Sequence, residues 1–191
     1  MQHVVNHYGL LFLFGVVAAE SAGAWVPGET ALIAAGVLAS QGNFRIWEVI
    51  VVAAAGAIVG DNAGYWIGRS VGRRILSRFP RVEALLPRAE RFFRRHGGKA
   101  VFLARFVGGI RVTGAWMAGI SHMPWWRFLA WNAAGGIVWA TAVGLVAYYL
   151  GRAAADLIGR YGLIGGGAVV GLAIVGAVAV HLWRRRMVDA S

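Results

Sequence analysis

The segment Ala100-Val101-Phe102-Leu103-Ala104-Arg105-Phe106-Val107-Gly108-Gly109-Ile110-Arg111-Val112-Thr113-Gly114-Ala115-Trp116-Met117-Ala118-Gly119-Ile120-Ser121 decides how this chain folds. It is apolar enough to enter a bilayer, yet two arginines and a Gly-Gly pair interrupt it. Each uninterrupted arm makes at most about 15 to 18 Å of helix, roughly half of a hydrocarbon core about 30 Å thick. Neither arm can cross alone. A broken pair of this kind predicts a re-entrant helical hairpin over 100–121, whose irregular tip is tolerable only where protein or water satisfies its backbone groups.

The N-terminal region repeats the pattern. An apolar run from Tyr8 to Ala19 is interrupted by Glu20 and by Pro27-Gly28-Glu29, then resumes from Thr30 to Ala39. A first re-entrant hairpin over 8–40 is the favoured reading, against a kinked continuous span from Tyr8 to Gly28 that buries Glu20. Three other stretches are long enough to span, at 47–69, 126–150 and 161–183. The expectation is therefore an all-α polytopic membrane protein in a single domain over 1–191, with two facing hairpins and three transmembrane helices.

Composition agrees. Of the residues, 59% are hydrophobic and 14% charged, and mean hydropathy is +0.62, whereas soluble domains carry about 25% charged residues. The formal charge of +11 is placed unevenly, with ten of the 19 Lys and Arg between Arg69 and Lys99 and three more at Arg184, Arg185 and Arg186. Basic loops beside apolar spans mark the cytoplasmic side, so segment 69–99 and the tail 184–191 are expected there. Between 80 and 97, Val82, Leu85, Leu86, Ala89, Phe92 and Phe93 recur at helical spacing among arginines, which predicts an amphipathic helix lying in the interface. No aromatic-interleaved basic platform accompanies the charge, which argues against nucleic acid and for anionic lipid headgroups.

With the basic segment inside, the second hairpin enters from the cytoplasm and the first from the outer face. Short broken segments in corresponding places, each followed by a full span, are the sequence sign of an inverted repeat meeting at the midplane. Met1 to His7 carry no Lys or Arg, so the start of a signal peptide is not expected there.

Ionisable residues within apolar segments are expensive and default to functional candidates. Glu20, Glu29, Asp61, Arg105 and Arg111 qualify. If the hairpin tips meet, three carboxylates face two guanidiniums, whose planar forks of donors suit phosphate. The carboxylates can neutralise the arginines or take up protons. A bland alternative is that the charges pair and only hold the halves together, although buried ion pairs are weak stabilisers. Gly60, Gly64 and Gly68 have small-xxx-small spacing, which lets helices approach closely. The five histidines form no ligand spacing, so neither a metal nor another cofactor is expected. Trp116, Trp125, Trp126, Trp131, Trp139 and Trp183 read as interface anchors.

Taken together, Glu20…Pro27-Gly28-Glu29, Gly60-Asp61…Gly64-Tyr65…Gly68-Arg69 and Phe102-Leu103-Ala104-Arg105-Phe106…Gly109-Ile110-Arg111…Ala118-Gly119 resemble the DedA family, also called VTT or SNARE-associated membrane proteins. The family usually has Pro-Gly where this chain has Gly108-Gly109. The resemblance implies facing re-entrant hairpins and lipid translocation, with the important acidic and basic positions falling on the same five residues. It implies a transporter of the bacterial inner membrane rather than an enzyme, moving undecaprenyl phosphate between leaflets with protons as a candidate coupling ion. General phospholipid flipping or scrambling is the alternative, and a lipid-phosphate phosphatase a weaker one, since no histidine lies in either hairpin. Assembly into a homo-oligomer is compatible with this reading.

Overall fold

Pro27 and a left-handed glycine make the first break. Helix α1 (Gln2–Ala22) ends as Gly23 turns to a φ of 117°, with Gly23 N–H bonded to Glu20 O and Ala24 N–H to Ala19 O, the paired closure of a Schellman motif. Helix α2 (Gly28–Ser40) starts directly after Pro27. The computed structural model describes the backbone of residues 2–76, 91–92, 95–106 and 110–188, and side-chain packing at 8–70, 91–92, 95–106 and 113–156. The remaining helices among these residues are α3 (Ile46–Leu76), α4 (Gly98–Ala104), α5 (Ile110–Ile120) and α6 (Trp125–Val188). Most of the amphipathic segment expected at 80–97, and the tip at 107–109, lie outside the described residues.

Both broken regions are pairs of helices. Gly28 at the start of α2 packs against Val17 and Glu20 of α1, and Phe44, just past the end of α2, packs against Gly9 near the start of α1. The chain therefore doubles back. In the second region Ala104 of α4 meets Gly114 of α5. Three of these arms are short: at about 1.5 Å per residue, α2, α4 and α5 fall well below the thickness of a hydrocarbon core. Helix α1 departs from expectation, because its 21 residues make about 31 Å. Its apolar run in the sequence begins only at Tyr8. Residues 2–7 are mostly polar but contain no Gly or Pro, so the helix continues through them.

The long helices form the centre. Ile46–Ser70 and Trp125–Asp156 are long and apolar enough to cross a membrane. They run antiparallel, since Asn62 meets Trp125, Ile58 meets Asn132, and Ile50 meets Gly144. The spans expected at 126–150 and 161–183 are not separated by a turn. The backbone is one helix from Trp125 to Val188; Arg152-Ala153-Ala154-Ala155 at the join are good helix formers, and no proline follows them.

The two halves pack alike. Helix α1 lies along α3 and α4 along α6, while each second arm crosses to the other half, α2 onto α6 and α5 onto α3. Matching hexapeptides sit at matching places. In Gly64-Tyr65-Trp66-Ile67-Gly68-Arg69, Arg69 Nη1 donates to Tyr65 Oη at 3.2 Å, and Gly68 packs on Trp116 of α5. In Ala147-Tyr148-Tyr149-Leu150-Gly151-Arg152, Arg152 Nη1 donates to Tyr148 Oη at 3.4 Å, and Gly151 packs on Val37 and Ser40 of α2. With α3 and α6 antiparallel, this is the relation of an inverted repeat.

Small residues set the spacing between helices. A Cβ at Gly56 would stand 2.8 Å from the Phe14 carbonyl oxygen, and one at Gly60 would overlap the Ala18 carbonyl. Leu13, Val17, Leu32, Val49, Ala53 and Trp139 form the main core around this contact, while Leu11, Phe12, Val51, Val59, Ile137 and Val146 face outward. Apolar residues on both sides of a helix are expected of a span in lipid, where close packing rather than hydrophobic exclusion holds helices together. Gly60→Ala is expected to force α1 from α3 and cost about 1–3 kcal/mol. Gly15→Ala, where nothing lies within 4 Å, is expected to be neutral. Thermal midpoints of the two variants in detergent check the difference.

Candidate functional site

Asp61 and Arg105, 44 residues apart, form a buried ion pair, with Arg105 Nη2 donating to Asp61 Oδ2. Asp61 is 6% exposed and Arg105 9%. Asp61 stands in the middle of α3, in an otherwise apolar stretch. Arg105 follows the last residue of α4, where the second hairpin breaks. The pair therefore ties the tip of that hairpin to the central helix of the other half.

The pair is enclosed by three of the elements described above. Ser21 of α1, Ala57 of α3 and Trp139 of α6 surround it, leaving a cavity of about 10 Å³. That is room for little more than one water. Arg105 reaches this position because α6 presents Gly135 and Gly136. A Cβ at Gly136 would stand 3.1 Å from Nη1, and one at Gly135 3.4 Å from Cδ. Arg105 Nη1 is buried and has no hydrogen-bond partner among the described groups. One side of the guanidinium is thus neutralised by Asp61, and the other offers an unused donor.

The remaining candidates divide. Glu20 is half-buried near the end of α1, with its Oε2 against Gly28 in the first turn of α2, where a carboxylate complements the positive end of a helix. Its neighbour Ser21 shares the cavity of the ion pair. Glu29 is exposed in the first turn of α2. The side chain of Arg111, on the first turn of α5, lies outside the described packing. The structure thus joins Asp61 with Arg105 directly and brings the Glu20 end of α1 to the same place.

Two tryptophans correct the expectation of interface anchors. Trp139 is only 7% exposed and walls the ion pair. Trp116 is half-buried, its Nε1–H donating to Ala22 O at 3.1 Å and so fastening α5 to the end of α1. Trp125, Trp126 and Trp131 are exposed, as an anchor must be. Ser21, Gly135 and Gly136 were not singled out from sequence. The signal that finds Trp139 and the glycines is periodicity, since Asn132, Gly135, Gly136, Trp139, Ala140 and Val143 recur at helical spacing along one face of α6.

Below the pair, a second layer closes the fold. Tyr65, wholly buried, donates to Met123 O at 2.5 Å and stacks on Phe128 with ring centroids 4.7 Å apart. Trp125 Nε1 donates to Asn62 Oδ1 at 2.9 Å. These contacts fix the start of α6 against α3, and so hold Gly135 and Gly136 opposite Arg105.

Comparison with known proteins matches residues 26–151 of this chain to the VTT domain. The chain belongs to the VTT, or DedA, family. It is 38% identical over 156 residues to an uncharacterized membrane protein of Synechocystis sp., covering 80% of this chain and 72% of the relative. A membrane protein of Mycobacterium tuberculosis, also described as uncharacterized, is 40% identical over 184 residues, 92% of this chain and 83% of the relative. Protein DedA of Escherichia coli K12 is 33% identical over 156 residues, 75% and 68% of the two chains. No solved structure matches the chain. The matched VTT region contains Glu29, Asp61, Arg105 and Arg111 and ends at Gly151, the last residue of Tyr148-Tyr149-Leu150-Gly151. This is a helical membrane protein of the DedA family.

Proposed function

We propose that this VTT protein moves an anionic lipid phosphate headgroup between the leaflets of the bacterial inner membrane, with undecaprenyl phosphate as its lipid. The observation that carries the reading is Arg105: a buried guanidinium at a hairpin tip, paired on one side with Asp61 and holding an unused donor on the other. Buried charge of this kind is a poor device for stability alone. It is a suitable device for exchanging one anion for another, because a phosphate competes with Asp61 for the same planar donors.

A phosphate is far larger than the cavity of about 10 Å³ beside the pair. Headgroup entry therefore requires the tip of the second hairpin to move away from α6, and the sequence there, Gly108-Gly109, is one of low backbone restriction. In this reading both hairpins are re-entrant, the first entering from the outside and the second from the cytoplasm, where the basic segment 69–99 lies; the tail expected beside it is not returned to that face, since α6 runs unbroken from Trp125 to Val188. Protonation of Asp61 would free Arg105 for phosphate, which makes protons the coupling ion. The step is translocation without bond cleavage.

Purified protein reconstituted in liposomes tests the proposal. Undecaprenyl phosphate is expected to change leaflets faster than in empty liposomes, and faster still under an imposed pH gradient. Equal acceleration of ordinary phospholipids would replace the substrate assignment with general lipid flipping. Release of inorganic phosphate from the lipid would overturn translocation in favour of hydrolysis.

A further inference from the structure

The two halves are related by a fixed interval of sequence. Adding 83 carries Tyr65, Gly68 and Arg69 of α3 to Tyr148, Gly151 and Arg152 of α6, and Thr30, Ala35 and Gly36 of α2 to Thr113, Ala118 and Gly119 of α5. If the halves packed identically, every contact would recur at its counterpart. The second arms depart from this by one helical turn. A Cβ on Gly119 would meet Tyr65 O and Arg69 N, whose counterparts are Tyr148 and Arg152. A Cβ on Gly36 would instead stand 3.0 Å from Gly144 O and 3.5 Å from Tyr148 N, one turn earlier on α6. Another contact agrees: Gly68 packs on Trp116, whose counterpart is Ile33, but Gly151 packs on Val37 and Ser40.

The first arms differ by more. Gly60 of α3 meets Ala18 and Ser21 of α1. Phe102 and Arg105, the counterparts of Ala19 and Ala22, meet Gly135 of α6, the counterpart of Val52 and so about two turns earlier on the long helix. Because α3 and α6 are antiparallel, both differences have one sense. The first hairpin is inserted more deeply along the long helices than the second, by one to two turns, or about 5 to 11 Å. Packed helices hold discrete registers, and a one-turn step is a recurrent unit of switching.

Charge follows the asymmetry. Asp61 and Arg105 pair where the second hairpin is shallow. Their counterparts, Gly144 and Ala22, carry no side-chain charge, and Ala22 is held through its backbone O by Trp116 of α5. The ion pair runs from a hairpin to the long helix of the other half, so advancing that hairpin by a turn would break it.

We infer that the molecule has a second state in which the hairpins exchange depth, the second advancing by a turn or more as the first withdraws, and that the Asp61–Arg105 pair is the latch of the present state. The halves of an inverted repeat move against one another as access alternates. The exchange supplies that alternation for the headgroup transport proposed above, and its role rests on that reading. A proton on Asp61 or a phosphate on Arg105 releases the latch.

The chain has no cysteine, so introduced pairs take spin labels at chosen places. Full-length protein in liposomes is labelled at Ala34 and Ser70, or at their counterparts Met117 and Ala153, and the distances are measured by pulsed electron spin resonance. The parent is expected to give one main distance for each pair. Asp61→Asn is expected to add a second population, with Ala34 to Ser70 longer and Met117 to Ala153 shorter, each by about 5 Å or more. Asp61→Leu with Arg105→Met, which leaves neither charge of the pair buried alone, is expected to show the same two populations. Distances unchanged in both variants, or moving in the same direction in the two pairs, overturn the inference. Shifted distances without lipid movement leave the exchange standing and remove the transport reading, whereas lipid movement with fixed distances does the reverse.

Discussion

Arg105→Ala is expected to abolish lipid transport and to cost the fold about 3–5 kcal/mol, because it leaves the Asp61 carboxylate buried without its cation. Asp61→Ala is expected to cost a similar amount for the converse reason. Neither single variant separates a structural role from a functional one, since both roles predict damage. The separating variant removes both charges at once. Asp61→Leu with Arg105→Met keeps much of the buried volume, and such exchanges of a buried pair for apolar residues are neutral or stabilising by about 1–4 kcal/mol. The double variant is therefore expected to insert and to melt at or above the parent temperature, yet to move no undecaprenyl phosphate in liposomes. Transport that survived in a well-folded double variant would show that the pair only holds the halves together.

The importance of Asp61 and Arg105 was legible in sequence because the argument needs only local information. Each is an ionisable residue inside an apolar run, and the cost of burying it is the same whatever it touches. That they meet each other was legible only as a consequence of two hairpins facing, which hydropathy suggested through the breaks at Pro27-Gly28 and Gly108-Gly109. What was hidden is equally physical. Hydropathy measures where the chain is apolar, not where it is helical, so it could not see α1 continue through residues 2–7 or α6 continue past Leu150. Tryptophan is amphipathic, and its frequency at membrane interfaces concealed that Trp139 lies on the buried stripe of α6. The glycines read as a generic packing motif divide in space. Gly60, together with Gly56, which that reading did not include, admits α1, while Gly64 and Gly68 admit α5 against the same helix. Spacing alone gives no partner, and only the three-dimensional contacts show that one row of glycines serves both halves.

Trp139 also gives the prediction that connects packing to the proposed function most directly. It is the largest wall of the ion-pair cavity, and it belongs to the main core with Leu13, Val17, Leu32 and Val49. Trp139→Ala is expected to cost about 3–5 kcal/mol through lost contacts and the void left behind, read as a lower thermal midpoint in detergent. The void opens beside two charged groups rather than among methyl groups, so water enters it instead of leaving it dry. Water between Asp61 and Arg105 raises the local dielectric and weakens the attraction that seats the hairpin tip. The variant is therefore expected to lose lipid selectivity before it loses the ability to insert, with ordinary phospholipids crossing at rates approaching that of undecaprenyl phosphate. Trp139→Phe, which restores most of the wall without the indole nitrogen, is expected to recover both stability and selectivity. If Trp139→Ala lowers the thermal midpoint but leaves selectivity intact, the cavity beside Arg105 is not where the headgroup is discriminated.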